Sequence, residues 1–235
     1  AETQGIEIRL IGALSIKLHC DRSKQLFDRA ISDIDMVGRS KDRDKIMKLL
    51  KDLACQPAEM FNYVNLNRLL FFDSDQTRID VFLDKFQMCH DFDLSDRILL
   101  DKPTLSPADL LVTKLQIVEL NEKDFKDMIS LLRDHELSQD DAAKDTVNIS
   151  YVADLCRKDW GIYRTFTGNI NRLLQFLSTT ALDNNEKRAI QAKLEALQKS
   201  IEEAPKTIGW KVRARVGEKR VWYNLPETRI LGQTS

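Results

Sequence analysis

Apolar positions along this chain fall into two regimes. Up to about residue 103 they come in short bursts at a spacing of two, broken by turn residues, and from Leu105 onward they recur at spacings of three and four. The first regime predicts strands mixed with short helices, the second a run of helices.

"IEIRLIGALSIKLHC" predicts a strand from Ile6 to Ile11, a break at Gly12, and then a helix with Leu14 and Leu18 on one face. "ISDIDMVG" predicts a second strand. "SKDRDKIMKLLKDLA" predicts a helix capped by Ser40 with Ile46, Leu49, Leu50 and Leu53 along one stripe. "RLLFFDSD" and "TRIDVFLD" predict an antiparallel hairpin turning between Asp73 and Gln76.

In "SPADLLVTKLQIVEL", Ser106 as N-cap, Pro107 at the first helical position and Asp109 in the first turn agree on a helix start. Asn121 separates that helix from the one expected in "EKDFKDMISLLRDHEL". Further helices are expected between residues 140 and 203, among them "NINRLLQFLSTTAL" and "NEKRAIQAKLEALQKSIEEA", the latter with Ile190, Leu194, Leu197 and Ile201 on one stripe for core packing or a partner helix. The alternation in "IGWKVRARVGEKRVWYNLP" predicts a β-hairpin turning near Gly217 and Glu218. The expected fold class is therefore α/β (α+β): a mixed sheet with flanking helices over residues 1–103, then a helical region with a C-terminal β-hairpin over 104–235. The boundary falls in "DKPTLSP".

Composition narrows the function classes. With 235 residues, 43% of them hydrophobic, the chain can bury a real core, and 36 Lys and Arg against 37 Asp and Glu leave a net charge of −1. No global field draws it to nucleic acid or an anionic membrane, so any such attraction must be local. Cys20, Cys55, Cys89 and Cys156 form no C-x-x-C pair, and His19, His90 and His135 are equally scattered, which argues against a zinc site or a disulfide framework. Such cysteines are expected to be buried small hydrophobes in a reducing compartment. No apolar run reaches membrane-spanning length and no basic-then-apolar leader opens the chain, so the expected location is the cytoplasm. A start at Ala1 suggests a short natural segment ahead of it.

The second predicted strand carries Asp33 and Asp35, which as residues i and i+2 project to one face while Ile34 and Met36 face the other. Two such anions repel and need a compensating cation, and hard oxygen ligands suit a divalent metal. Asp80 in "RIDVF" sits mid-strand in the same way. If the strands are adjacent, three carboxylates meet on one sheet, an arrangement suited to Mg²⁺ ions that clamp a nucleoside triphosphate. Gly12, at a strand-to-helix turn, would let backbone N–H groups approach the phosphates.

The series "LIGALSIKL", "RAISDIDMV" and "RIDVF" resembles the core of the DNA polymerase beta-like nucleotidyltransferase superfamily. The likeness is closest to the AbiEii-type nucleotidyltransferases, a group that includes abortive-infection and toxin-antitoxin proteins, and it covers about residues 6–135. The resemblance implies a Mg²⁺-dependent enzyme that moves a nucleoside monophosphate from an NTP to a hydroxyl acceptor. By the resemblance and the chemistry together, Asp33, Asp35 and Asp80 are metal ligands, with Asp80 alternatively the base for the attacking hydroxyl. Lys114 in "DLLVTKL" would neutralise phosphate charge. Arg29 and Ser32 match the Arg and Ser or Thr before the paired acids, shifted by a residue, and Asp124 and Asp127 match the "KD-aromatic-x-D" helix start. Where the superfamily has Gly-Gly or Gly-Ser, this chain has Gly12-Ala13, so Ser15 would have to supply the missing hydroxyl.

The acceptor stays open: an RNA end, a protein side chain or a small molecule. RNA is a candidate partner through Lys211, Arg213 and Arg215, which share one face of the expected hairpin with Trp210, Trp222 and Tyr223 interleaved. A protein antitoxin is a further candidate. The rival from another class is a nucleotidyltransferase-like fold without turnover that serves as a binding or regulatory module; an enclosed acidic pocket would instead favour an antibiotic-adenylating kind of enzyme.

Overall fold

Residues 1–23 and 31–225 are described by the computed structural model. Strand β1 (Ile8–Ile11) runs directly into helix α1 (Gly12–His19), and β2 (Asp33–Gly38) returns antiparallel to β1, with Ile11 opposite Asp35. Helix α2 (Arg43–Asp52), strand β3 (Gln56–Pro57) and helix α3 (Glu59–Val64) lead to the hairpin of β4 (Arg68–Phe72) and β5 (Arg78–Leu83). These strands form one five-stranded mixed sheet in the order β1-β2-β5-β4-β3, in which β2 and β5 are parallel and the other pairs antiparallel. The hairpin turns where the sequence predicts, with Gln76 N–H donating to Asp73 O.

Alternation gives the sheet two different faces. Leu69, Phe71, Ile79, Val81 and Leu83 meet Ile46 and Leu50 of α2 in one apolar cluster, and Ile34 and Met36 pack against it. Phe82 and Val37 face the other way, into a larger cluster built mainly by the later helices. Asp33, Asp35 and Asp80 alternate with the first set and therefore lie on the second face.

Two short two-stranded sheets are absent from the sequence reading: β6 (Lys85–Gln87) with β7 (Asp91–Asp93), and, after helices α4 (Pro107–Leu115) and α5 (Glu122–Asp134), β8 (Glu136–Ser138) parallel to β9 (Thr146–Asn148). At three residues a strand, neither pair carries enough alternation to register as a pattern. Ser106 Oγ accepts from Asp109 N–H as expected, and Asn121 and Asp124 close a capping box at the start of α5. Helices α6 (Ile149–Lys158), α7 (Trp160–Thr179) and α8 (Asn184–Glu203) complete the bundle, and Ile190, Leu194, Leu197 and Ile201 of α8 are buried in it. The larger cluster draws residues from both sides of Pro103, from Ile11 to Ile201.

The C-terminal hairpin expected from alternation does not form. Residues Ile208–Val216 are helix α9, with the Thr207 side chain accepting from Trp210 N–H and Gly217 at φ +58° ending it. A lone two-stranded hairpin is marginal in water, whereas this segment carries a helix cap at one end and a glycine at the other. Two smaller expectations also shift. Leu18 of α1 is exposed while Ser15 and Ile16 are buried, and Leu53 lies beyond α2 and is exposed. In a helix as short as α1, the packing of the sheet decides which side is covered. Four free cysteines are all buried, and among the described residues no helix is long and apolar enough to cross a membrane.

Candidate functional site

The register of β2 on β5 sets Asp35 directly opposite Asp80 and Asp33 opposite Arg78. Strand neighbours stand about 4.8 Å apart, so the carboxylates of Asp35 and Asp80 crowd one another. Across the antiparallel pair β1-β2, the end of β1 brings Gly12 against Asp35. Gly12 has φ +68°, and a Cβ there would lie 2.6 Å from Asp35 Oδ2. Only glycine permits both that left-handed backbone and the close approach.

Burial first, then the charges of Asp33 and Asp80, push the Asp35 carboxyl up to about 6, against a smaller opposing pull from Lys114 and Arg78. Among the described residues no cation forms an ion pair with Asp33 or Asp35; the nearby cations are engaged elsewhere. Arg68 Nε holds Asp80 Oδ1 at 2.7 Å and Arg78 Nη2 holds Oδ2 at 2.6 Å. Arg68 itself lies over the Phe82 ring, 4.6 Å from its centre. With both oxygens of Asp80 turned to guanidiniums, the three aspartates do not present ligand atoms within 4.8 Å of one another.

Neither arginine was singled out by sequence. Arg78 could have been, since it sits two residues before Asp80 on the same strand face, but Arg68 needed the register of the hairpin.

Lys114 is nearly buried and bridges Asp124 Oδ1 at 3.1 Å and Asp127 Oδ2 at 2.8 Å. The lysine and the two acids marked by the resemblance thus meet one another. Burial alone would push the Lys114 ammonium down, but Asp127 and then Asp124 outweigh it and hold it above its ordinary value. Asp124 also accepts from Asn121 N–H at 3.2 Å, so it serves the helix start as well as the lysine.

The remaining candidates divide. Ala13 follows Gly12 in the first turn of α1, whose N-terminus has no side-chain cap. Ser15 is fully buried and donates its hydroxyl back to Gly12 O at 2.7 Å. Ser32 is exposed and donates to Asp33 Oδ1 at 3.2 Å. Arg29 lies outside the described residues.

The basic face expected at the C-terminus is not assembled. In α9, Lys211 and Arg215 are exposed and four residues apart, so they share a side, while Arg213 points elsewhere. Arg213 donates to Gly217 O and Arg220 O at 2.7 Å each and sits over the Trp160 ring. Trp222 packs on Trp160 and donates to Thr165 Oγ1 at 3.1 Å, and Trp210 packs on Tyr163. These aromatics join the chain end to α7 and are not displayed for stacking.

Comparison of the chain with protein-family models gives no match, and neither does comparison with curated proteins.

Two carboxylates that pair with no cation among the described residues, beside a glycine turn at a helix start without a side-chain cap, have the hard-oxygen chemistry that suits a divalent ion next to a phosphate group. Asp33 and Asp35 are the pair whose oxygens suit Mg²⁺.

Proposed function

We propose that this protein is a Mg²⁺-dependent nucleotidyltransferase that transfers a nucleoside monophosphate from an NTP to a hydroxyl acceptor. The observation that carries the reading is the contact of Gly12 with Asp35, with Asp35 set opposite Asp80: a strand, a glycine turn, an uncapped helix start and paired acids occupy one spot on the sheet. Asp33 and Asp35 would hold Mg²⁺, which supplies charge neutralisation of the triphosphate. The first-turn N–H groups of α1 at Gly12 and Ala13 would bind phosphate oxygens. Asp80, oriented by Arg68 and Arg78, would be the group to accept the proton of an attacking hydroxyl.

A second reading rests on the same two arginines. Their ion pairs with Asp80 close off the third carboxylate, as expected of a nucleotidyltransferase-like domain that binds nucleotide or partner without turnover.

Incubation with each α-³²P-labelled NTP, Mg²⁺ and total cellular RNA or protein separates the two. Label transfer that is lost in the Asp33→Ala, Asp35→Ala double variant supports the enzyme and names the acceptor class. Nucleotide binding without transfer supports the module, and neither binding nor transfer overturns both readings.

A further inference from the structure

Two histidines far apart in sequence meet at the ends of two helices. His19 is the last residue of α1, His135 caps the C-terminus of α5, and Asp145 immediately precedes β9. Asp145 Oδ1 lies 3.3 Å from His19 Nδ1 and 3.2 Å from His135 Nδ1, and one ligand atom from each of the three residues falls within 4.8 Å of the others. Four ligands at about 2.0–2.1 Å around a tetrahedral ion are separated by roughly 3.4 Å. Two edges of such a tetrahedron are thus already in place.

The hydrogen bonds behind the rings matter as much as the spacing. Thr104 Oγ1 donates its only proton to Leu105 O at 3.0 Å, so it must accept from His19 Nε2–H. With Nε2 engaged there, the other ring nitrogen, Nδ1, is the one that faces the Asp145 carboxylate. His19 is thus oriented through its far nitrogen, the arrangement metal-bound histidines use. On His135, Nδ1 faces the Asp145 carbonyl at 3.1 Å as well as its carboxylate, so in the ion-free chain it donates there, and an ion bound at Nδ1 would displace that proton, while Nε2 faces Cys20 Sγ at 4.0 Å.

We propose that His19, His135 and Asp145 form a binding site for a zinc-like divalent transition-metal ion, with the fourth position open to solvent. Two imidazoles and one carboxylate suit Zn²⁺ or Co²⁺, whereas Mg²⁺ prefers oxygen alone. The Asp145 side chain is 68% exposed, which provides the entry path. The ion would tie together α1, α5 and the loop before β9, at the opposite end of α1 from Gly12 and Asp35.

The test is titration of the chelator-stripped full chain with Co²⁺, followed by displacement with Zn²⁺. Expected are tetrahedral d–d absorption saturating at one ion per chain, and affinity at least about tenfold weaker in both Asp145→Asn and His19→Gln. Asparagine tolerates the left-handed φ of +58° at position 145, so that variant keeps its backbone. X-ray absorption of the zinc-loaded wild type needs no variant and should give a nitrogen and oxygen shell with imidazole scattering and no sulfur. No saturable binding, a sulfur ligand, or binding that survives both substitutions and is lost in Asp35→Asn would overturn the proposal.

Discussion

Gly12 and Asp35 touch so closely that no other residue fits at position 12: an added Cβ would stand 2.6 Å from Asp35 Oδ2, on a backbone already at φ +68°. The first stability experiment follows from that contact. Gly12→Ala should cost about 2 kcal/mol or more, part from the left-handed backbone and part from the carboxylate. In an Asp35→Ala background the carboxylate part is gone and the backbone part, about 1 kcal/mol, remains with the milder 3.3 Å approach to the residue 35 Cβ. Urea unfolding of the four proteins measures the coupling; equal costs in both backgrounds would mean the two residues do not touch.

Asp35 should make folding sensitive to pH in the direction opposite to most carboxylates. Its folded pKa of about 6 lies above the ordinary 3.8, so between these values the folded chain binds more protons than the unfolded one. This group's contribution is therefore most favourable below about pH 4, weakens as pH rises through 6, and is an approximately constant cost above that. Asp35→Asn is expected to raise stability by about 1–2 kcal/mol at pH 8 and to lose that advantage near pH 4. Chemical denaturation of both proteins across this range checks it. On the proposed function, millimolar Mg²⁺ should narrow the difference at pH 8 by placing a cation beside the Asp35 carboxylate.

Lys114 supports two buried carboxylates, and removing it takes the ammonium from both. Lys114→Met should cost about 3–5 kcal/mol. Asp124→Asn should cost clearly less, because Lys114 keeps Asp127 and the amide oxygen can still accept from Asn121 N–H. Thermal unfolding of the two variants ranks them, and a smaller loss for Lys114→Met would show that the lysine is dispensable to the fold.

Arg78 is the more exposed of the two guanidiniums on Asp80. Arg78→Gln frees Asp80 Oδ2 and removes a positive charge beside Asp33 and Asp35. Loss of an exposed charge is worth up to about 1 kcal/mol, so Mn²⁺ affinity should rise up to about fivefold. Electron paramagnetic resonance of free Mn²⁺ measures it. An unchanged affinity would separate Arg78 and Asp80 from the proposed metal-binding pair.

What the sequence by itself determined is local. The start of α4 was written in Ser106, Pro107 and Asp109, the turn of the β4-β5 hairpin in Asp73–Gln76, and the shared side of Asp33 and Asp35 in the two-residue period of a strand. Each of these depends on atoms within a few residues of one another, so short-range sterics and hydrogen bonding suffice to specify it. Tertiary structure alone decided which strand lies beside β2, and with it that Asp35 faces Asp80, that Arg68 reaches Asp80, and that His19 and His135 converge on Asp145. It also chose helix over hairpin at Ile208–Val216, where the alternation fits a strand but α7 offers aromatic surface to pack on. Contacts of that kind join residues ten to more than a hundred positions apart, and their registers are set by which apolar faces can be buried together, which no short window of sequence contains.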